Sequence, residues 1–189
     1  MSVGNFRKTS SEISTISKIN IDRQDEKNDR IILDYAVKIR DRKIEHAFVF
    51  DRNYEHLFSL KGNRWKIQFS HREIMRLFGT IFMHNHPRGG SFSINDIYTA
   101  CACSMRGMIA VTGSLIYIIM PPEGEECFSR TMYRDISKCF KIRSCRLPLN
   151  LRLSAPDILW EAVARDMDLR YYCMTYEDRP VKESNLIHS

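Results

Sequence analysis

Two imidazoles two residues apart, followed ten positions later by a solitary carboxylate, are the side chains of this sequence best suited to chemistry: His84, His86 and Asp96. Gly79 to Met83 is apolar and β-prone, so it reads as a buried strand running into the histidines. Alternate side chains of a strand share a face, which points His84 and His86 the same way and Asn85 the other. Pro87 cannot donate to a sheet ladder and Gly89-Gly90 allow tight turning, so the strand ends just after the pair. Ser93 then opens a helical pattern as a natural N-cap, with Asp96 in the first turn. Two ring nitrogens and a carboxylate oxygen are three ligands of a tetrahedral site, and a fourth position left to water is the pattern of catalytic rather than structural zinc. No rival set competes: Asp96 is the only carboxylate between Glu73 and Glu123, and the only histidines between His71 and His188 are this pair. The plainer alternative makes the histidines polar strand-end residues and Ser93–Asp96 a simple helix start.

Activation of water at such a site needs a base that takes its proton. Three glutamates lie upstream in reach, Glu45, Glu55 and Glu73. Glu73 is explained by a capping box with Ser70, and Glu55 follows an exposed turn at Asp51-Arg52-Asn53. Glu45 directly precedes the apolar run Ala47–Phe50, which puts it at the mouth of a strand, and it is the preferred base. A solvated charge at a strand start is the competing account of it. His46, His56 and His71 lack a partner at ligand spacing and are assigned to surface or structure. Asn85, on the opposite strand face, is not expected to be catalytic.

At these residues the sequence resembles the JAB/MPN (JAMM) metallopeptidase domain. That family's pattern is His-x-His-Pro, a short loop, then Ser-x-x-Asp, with a glutamate on an earlier strand; here it stands as His84-Asn85-His86-Pro87, Ser93-x-x-Asp96 and Glu45. The His-Asn-His-Pro wording is most similar to the RadC-like branch. Six residues separate His86 from Ser93, one fewer than the family's usual seven. The resemblance covers roughly Ile44 to Met120. It implies a JAB/MPN-like (cytidine-deaminase-like) core and a Zn2+ ion on His84, His86 and Asp96. It also implies Glu45 as general base and a Ser93 hydroxyl that helps stabilise the oxyanion of a tetrahedral intermediate.

The elements that must position these groups follow from pattern. Residues 1–29 are polar and aperiodic and read as a flexible N-terminal tail. Arg30–Arg40 carries helical spacing, with a strand over Leu33–Ile39 as the alternative. Strands are expected at Ile44–Phe50, near His56–Ser59 and at Trp65–Phe69, forming an antiparallel meander. A short helix from Ser70 to about Phe78, the histidine strand and a Ser93-capped helix to about Met105 come next. Met108–Thr112 and Leu115–Ile119 flank the hairpin signal Gly113-Ser114. The expected fold is α+β, a mixed and largely antiparallel sheet flanked by helices. The core is placed at 30–122, a basic helical extension with a final helix and strand at 123–178, and a tail at 179–189.

Phe128 to Arg152 holds seven cations against Asp135 alone, enough to account for the formal +6 of the whole chain. Arg130, Arg134 and Lys138 recur every fourth residue, with Lys141 nearby, making a basic stripe on a helix. It is either a solvated face or a docking surface for an acidic partner. Nucleic acid is the weaker option, because no nucleic-acid motif accompanies the charges. Ser154, Pro156 and Asp157 start a helix buried through Ile158, Leu159, Ala162, Val163 and Met167, and Leu169–Tyr176 is the final strand.

At 189 residues with 43% hydrophobic residues the chain can bury one sizeable core. No 18-residue apolar run or signal-like N-terminus is present, and the six cysteines form no Cys-x-x-Cys pair, so a reduced cytoplasmic location is expected. Cys101 and Cys103 read as small core residues. The expected activity is zinc-dependent hydrolysis of a peptide or isopeptide bond, with a protein or peptide substrate that includes ubiquitin-like conjugates. The alternative is a non-catalytic protein- or nucleic-acid-binding module on the same scaffold. No membrane partner is expected.

Overall fold

A computed structural model describes residues 23–148 and 156–177 of the chain. The expected tails at residues 1–22 and 179–189, and most of the connector before Pro156, lie outside the described residues. Helix α1 spans Arg23–Ile39, followed by strands β1 (His46–Phe50) and β2 (His56–Lys61), helix α2 (His71–Arg76) and strand β3 (Ile81–Asn85). Helix α3 (Ile94–Ala102), strands β4 (Gly107–Val111) and β5 (Leu115–Pro122), helices α4 (Arg130–Arg146) and α5 (Pro156–Asp166), and strand β6 (Leu169–Thr175) complete it.

The six strands form one open sheet in the order β2-β1-β3-β4-β5-β6. Every neighbouring pair is antiparallel except β3 and β4, which run parallel and are joined through α3. A parallel pair needs a crossover, and α3 is that crossover. The fold is α+β, with five helices among the described residues.

Alternation along the strands sorts the core into two clusters, one on each sheet face. Phe82, Met108, Ala110, Tyr117 and Ile119 meet residues of α3, α4 and α5 on one face. Ile81, Met83, Ile109, Val111, Ile116 and Ile118 meet Ile32, Leu33, Ala36 and Ile39 of α1 on the other. The two faces differ in what they carry. His84 continues the even-numbered set of β3 and therefore faces the α3 side, while Asn85 faces the α1 side.

Three differences from the sequence pattern have local causes. Helix α1 opens at Arg23, so residues 23–29 are helical rather than part of a tail; polar residues hide a helix from a reading based on apolar period. Its helical form also decides against a strand over Leu33–Ile39. Trp65–Phe69 is not a strand: the Asn63 side chain accepts the N–H groups of Trp65 (2.8 Å) and Lys66 (3.1 Å), diverting them from a ladder. Strand β2 is therefore left at the sheet edge, and β1 pairs on its other side with β3. Helix α3 stops at Ala102, short of Met105, where Ser104 takes a left-handed φ of 47°.

Candidate metal centre

The sheet register brings Glu45 and the histidines together. Ala47 stands opposite His84 across the β1–β3 ladder, so continuing that antiparallel register places Glu45 alongside His86 on the same face. His84 and Ala110 are partners on the other side, and the parallel β3–β4 pairing leaves the strand ends flush. The His86 N–H donates to Val111 O at 2.8 Å, extending the strand one residue beyond Asn85 before Pro87 ends it.

The loop 87–93 turns through consecutive left-handed glycines, Gly89 at φ 78° and Gly90 at φ 90°. It delivers Ser93 as N-cap of α3. A reciprocal capping box follows: Ser93 Oγ accepts from the Asp96 N–H at 3.2 Å, and Asp96 Oδ2 accepts from the Ser93 N–H at 2.6 Å. The cap and the metal assignment are thus compatible, because the box uses the carboxylate as an orienting group while its oxygens face the histidines. Asp96 Oδ1 lies 3.6 Å from His84 Nε2, Asp96 Oδ2 3.6 Å from His86 Nε2, and the two Nε2 atoms are 2.8 Å apart. All three donor atoms fall within 4.8 Å of one another.

These separations fit a divalent ion. Ligand atoms about 2.0–2.1 Å from a tetrahedral zinc stand about 3.3 Å from each other, within the spread seen here. His86 is also oriented as a ligand should be: its Nδ1 contacts Gly90 O at 3.1 Å, which assigns the proton to Nδ1 and leaves Nε2 bare. His84 lacks that second contact. Its Nδ1 is buried without a hydrogen-bond partner among the described residues, and its ring is held by packing beside Phe82, 5.3 Å between centroids.

Electrostatics agree with a ligating role. Burial, reinforced by the neighbouring His84 charge, lowers the His86 pKa to about 4, so the ring is neutral near pH 7. Burial pushes the Asp96 carboxyl upward, but His84, the charge of both imidazoles and the Ser93 N–H outweigh it and hold Asp96 well below the usual carboxylate range. Glu45 is displaced the other way. Burial raises its pKa and the Asp96 charge adds to this, against the His84 charge and an Ile67 N–H that favour the anion. A carboxyl shifted toward neutrality is a better proton acceptor than an exposed glutamate.

Comparison with protein-family models, with curated proteins and with solved structures yields no match to this chain. What the site can do is therefore argued from its own geometry.

Of the residues singled out from sequence, Glu45, His84, His86, Ser93 and Asp96 all line one cleft of about 530 Å³. Arg130, Arg134, Lys138 and Lys141 do not line it; they are exposed along α4. Cys101 and Cys103 are buried core residues, 1% and 5% exposed.

Two groups of residues near the site were not legible in advance. Asn85 is fully buried behind the histidines: its Oδ1 accepts from the His46 N–H at 2.6 Å, and its Nδ2 donates to Arg42 O and Ile44 O at 3.1 and 3.2 Å. It pins the segment that carries Glu45. Only its alternation was readable beforehand, not its partners. The turn Gly62–Ile67 forms the cleft mouth and is tied to Glu45 through Gly62 N–H to Glu45 O (2.8 Å) and Glu45 N–H to Asn63 O (2.9 Å). Read as a turn at Lys61-Gly62-Asn63 running into a strand at Trp65–Phe69, these residues carried no signal of that role.

Proposed function

We propose that this chain is a metal-dependent amide hydrolase of the JAB/MPN type, with zinc on His84, His86 and Asp96. The observation that carries the proposal is the convergence of three donor atoms within 4.8 Å on the floor of a cleft whose wall also presents Glu45. A ubiquitin-like conjugate or another protein cleaved at a peptide or isopeptide bond is the substrate class, and the exposed basic stripe of α4 is a separate face suited to an acidic partner. No helix among the described residues is long and apolar enough to cross a membrane.

A divalent ion in this position supplies Lewis acidity, polarising a carbonyl oxygen and easing the deprotonation of water. Glu45 takes the proton from the water as its oxygen bonds to the carbonyl carbon. It then returns that proton to the amine nitrogen as the C–N bond breaks, so the carboxylate is regenerated. Ser93 contributes at the oxygen. Its cap uses only a lone pair of Oγ, so the hydroxyl proton remains available for a developing oxyanion. His86 and Asp96 are held by Gly90 O and the Ser93 N–H, so neither needs to reorganise on binding.

The test is turnover of a quenched peptide library by the zinc-loaded protein. Glu45→Gln should lower the rate by about 100-fold or more while the protein stays folded and keeps its metal. Full activity in that variant would remove Glu45 from the chemistry.

A further inference from the structure

The mouth of the cleft is chemically unlike its floor. Arg64, Lys66 and Arg88 line it, all exposed, and among the described residues none is paired with a carboxylate. Four arginines elsewhere among the described residues do pair with carboxylates: Arg40 with Asp41, Arg106 with Glu126, Arg134 with Asp135 and Arg143 with Asp166. Between the unpaired cations stands Trp65, 62% exposed, with the Arg88 guanidinium 4.2 Å and the Arg64 guanidinium 5.9 Å from its ring centre. A guanidinium held over an indole keeps its N–H groups free to meet a planar anion.

The turn that presents them is built, not loose. Asn63 Oδ1 accepts two backbone N–H groups, Asn63 N–H donates to Lys66 O at 3.0 Å, and Gly62 is bonded to Glu45. A Cβ added at Gly62 would collide with Lys66 O and lie 2.9 Å from Ile67 Cγ1, so the close approach requires glycine. One wall below the cations is apolar, formed by Ile67, Phe69 and Phe82.

We propose that Arg64, Lys66 and Arg88, braced by Trp65, form a carboxylate-binding subsite that selects substrates bearing a negative charge beside an apolar residue near the bond to be cleaved. The proposal rests on the amide hydrolase reading and narrows its substrate to peptides with an acidic side chain or a free α-carboxylate at that distance. A carboxylate matches the paired N–H donors of a guanidinium. A nucleic acid strand fits less well, since its phosphates recur at every nucleotide and would be carried past the floor carboxylates Glu45 and Asp96.

Trp65 supplies the readout, because the chain has two tryptophans and the other, Trp160, is buried at 1% exposure. The full chain is titrated at low salt with three acetylated hexapeptides containing one phenylalanine. One carries glutamate and an amidated end, one carries glutamine and an amidated end, and one carries glutamine and a free C-terminus. An acidic peptide should quench Trp65 emission saturably and bind about tenfold tighter than the amidated glutamine peptide, with the preference shrinking as salt rises. Whichever of the two charged peptides shows the preference identifies the source of the carboxylate. Arg64→Glu with Arg88→Glu should erase the preference while the melting temperature is kept. Equal binding of all three, no binding, or stronger competition by a thymidine oligonucleotide would overturn the subsite. Cleavage is read separately: peptides cut without acidic preference sink the subsite alone. Peptides bound with that preference but never cut by the zinc-loaded protein sink the hydrolase.

Discussion

Asn85 shows how a single buried side chain sets the geometry of a site it does not enter. Three of its hydrogen bonds go to backbone groups of Arg42, Ile44 and His46, and Glu45 lies between the last two. Asn85→Ala would remove three part-buried hydrogen bonds to the backbone of Arg42, Ile44 and His46, at a cost of about 1–3 kcal/mol. The expected result is a lowered melting temperature together with a fall in turnover that zinc supplementation does not restore. The strand period located Asn85 on the far face; its partners, 39 to 43 residues upstream, are beyond any local pattern. Ser93 is a different case: its helix cap is formed, and the oxyanion role is the one proposed for it above. Ser93→Ala should cost about 1 kcal/mol through the lost cap. It should also lower kcat by about 100-fold through the lost oxyanion donor, so Ser93→Thr, which keeps the hydroxyl, should recover most of both. Cys101 offers a control outside the site. Burial pushes its thiol up to about 12, so it should resist alkylation in the native protein while the exposed Cys145 reacts, as mass spectrometry of the modified protein would report.

At the scale of elements, the C-terminal pair α5 and β6 clamps the loop between His86 and Ser93. Trp160 Nε1 donates to Phe92 O at 2.6 Å, the Ser91 and Tyr171 hydroxyls are 3.0 Å apart, and the Phe92 ring meets both Trp160 and Tyr171 edge-on. The loop, although one residue shorter than the resembled family's, therefore reaches its place under tertiary restraint. Trp160→Phe preserves most of the packing and removes the donor. It should weaken zinc affinity on the order of tenfold, as loss of an outer contact does. The amphipathic pattern announced α5 and the β-rich run announced β6, but nothing in either revealed that they would grip a loop some seventy residues away. Tyrosines of β5, of β6 and just beyond it set an alkaline limit. Burial raises the phenol pKa of Tyr117, Tyr171 and Tyr176, the last to about 12. An unfolded tyrosine loses its proton near pH 10 while the folded ones keep theirs, so the native state binds more protons and stability falls as pH rises above about 10. Denaturant midpoints should be steady below that pH and decline between about 10 and 12.

Across the whole molecule, the sheet converts sequence distance into a site. Glu45 from the approach to β1, two histidines from β3 and an aspartate from α3 meet only because β1 and β4 flank β3 and the crossover helix starts over the strand ends. The helix and strand types were largely readable, since the apolar periods are clean in β3, β4, β5 and α5. The order of strands was not, because it depends on which edges pair. The false strand at Trp65–Phe69 illustrates the gap: its composition suits a strand, yet Asn63 captures its backbone and turns it into the cleft mouth. The central claim is that the meeting point of these elements holds one divalent ion. Metal analysis of the full chain after zinc loading and exhaustive dialysis tests it most directly, run beside the His84→Ala, His86→Ala double variant. About one zinc per wild-type chain and almost none in the variant is the expected result. A folded wild type that retains no more zinc than the variant would contradict it.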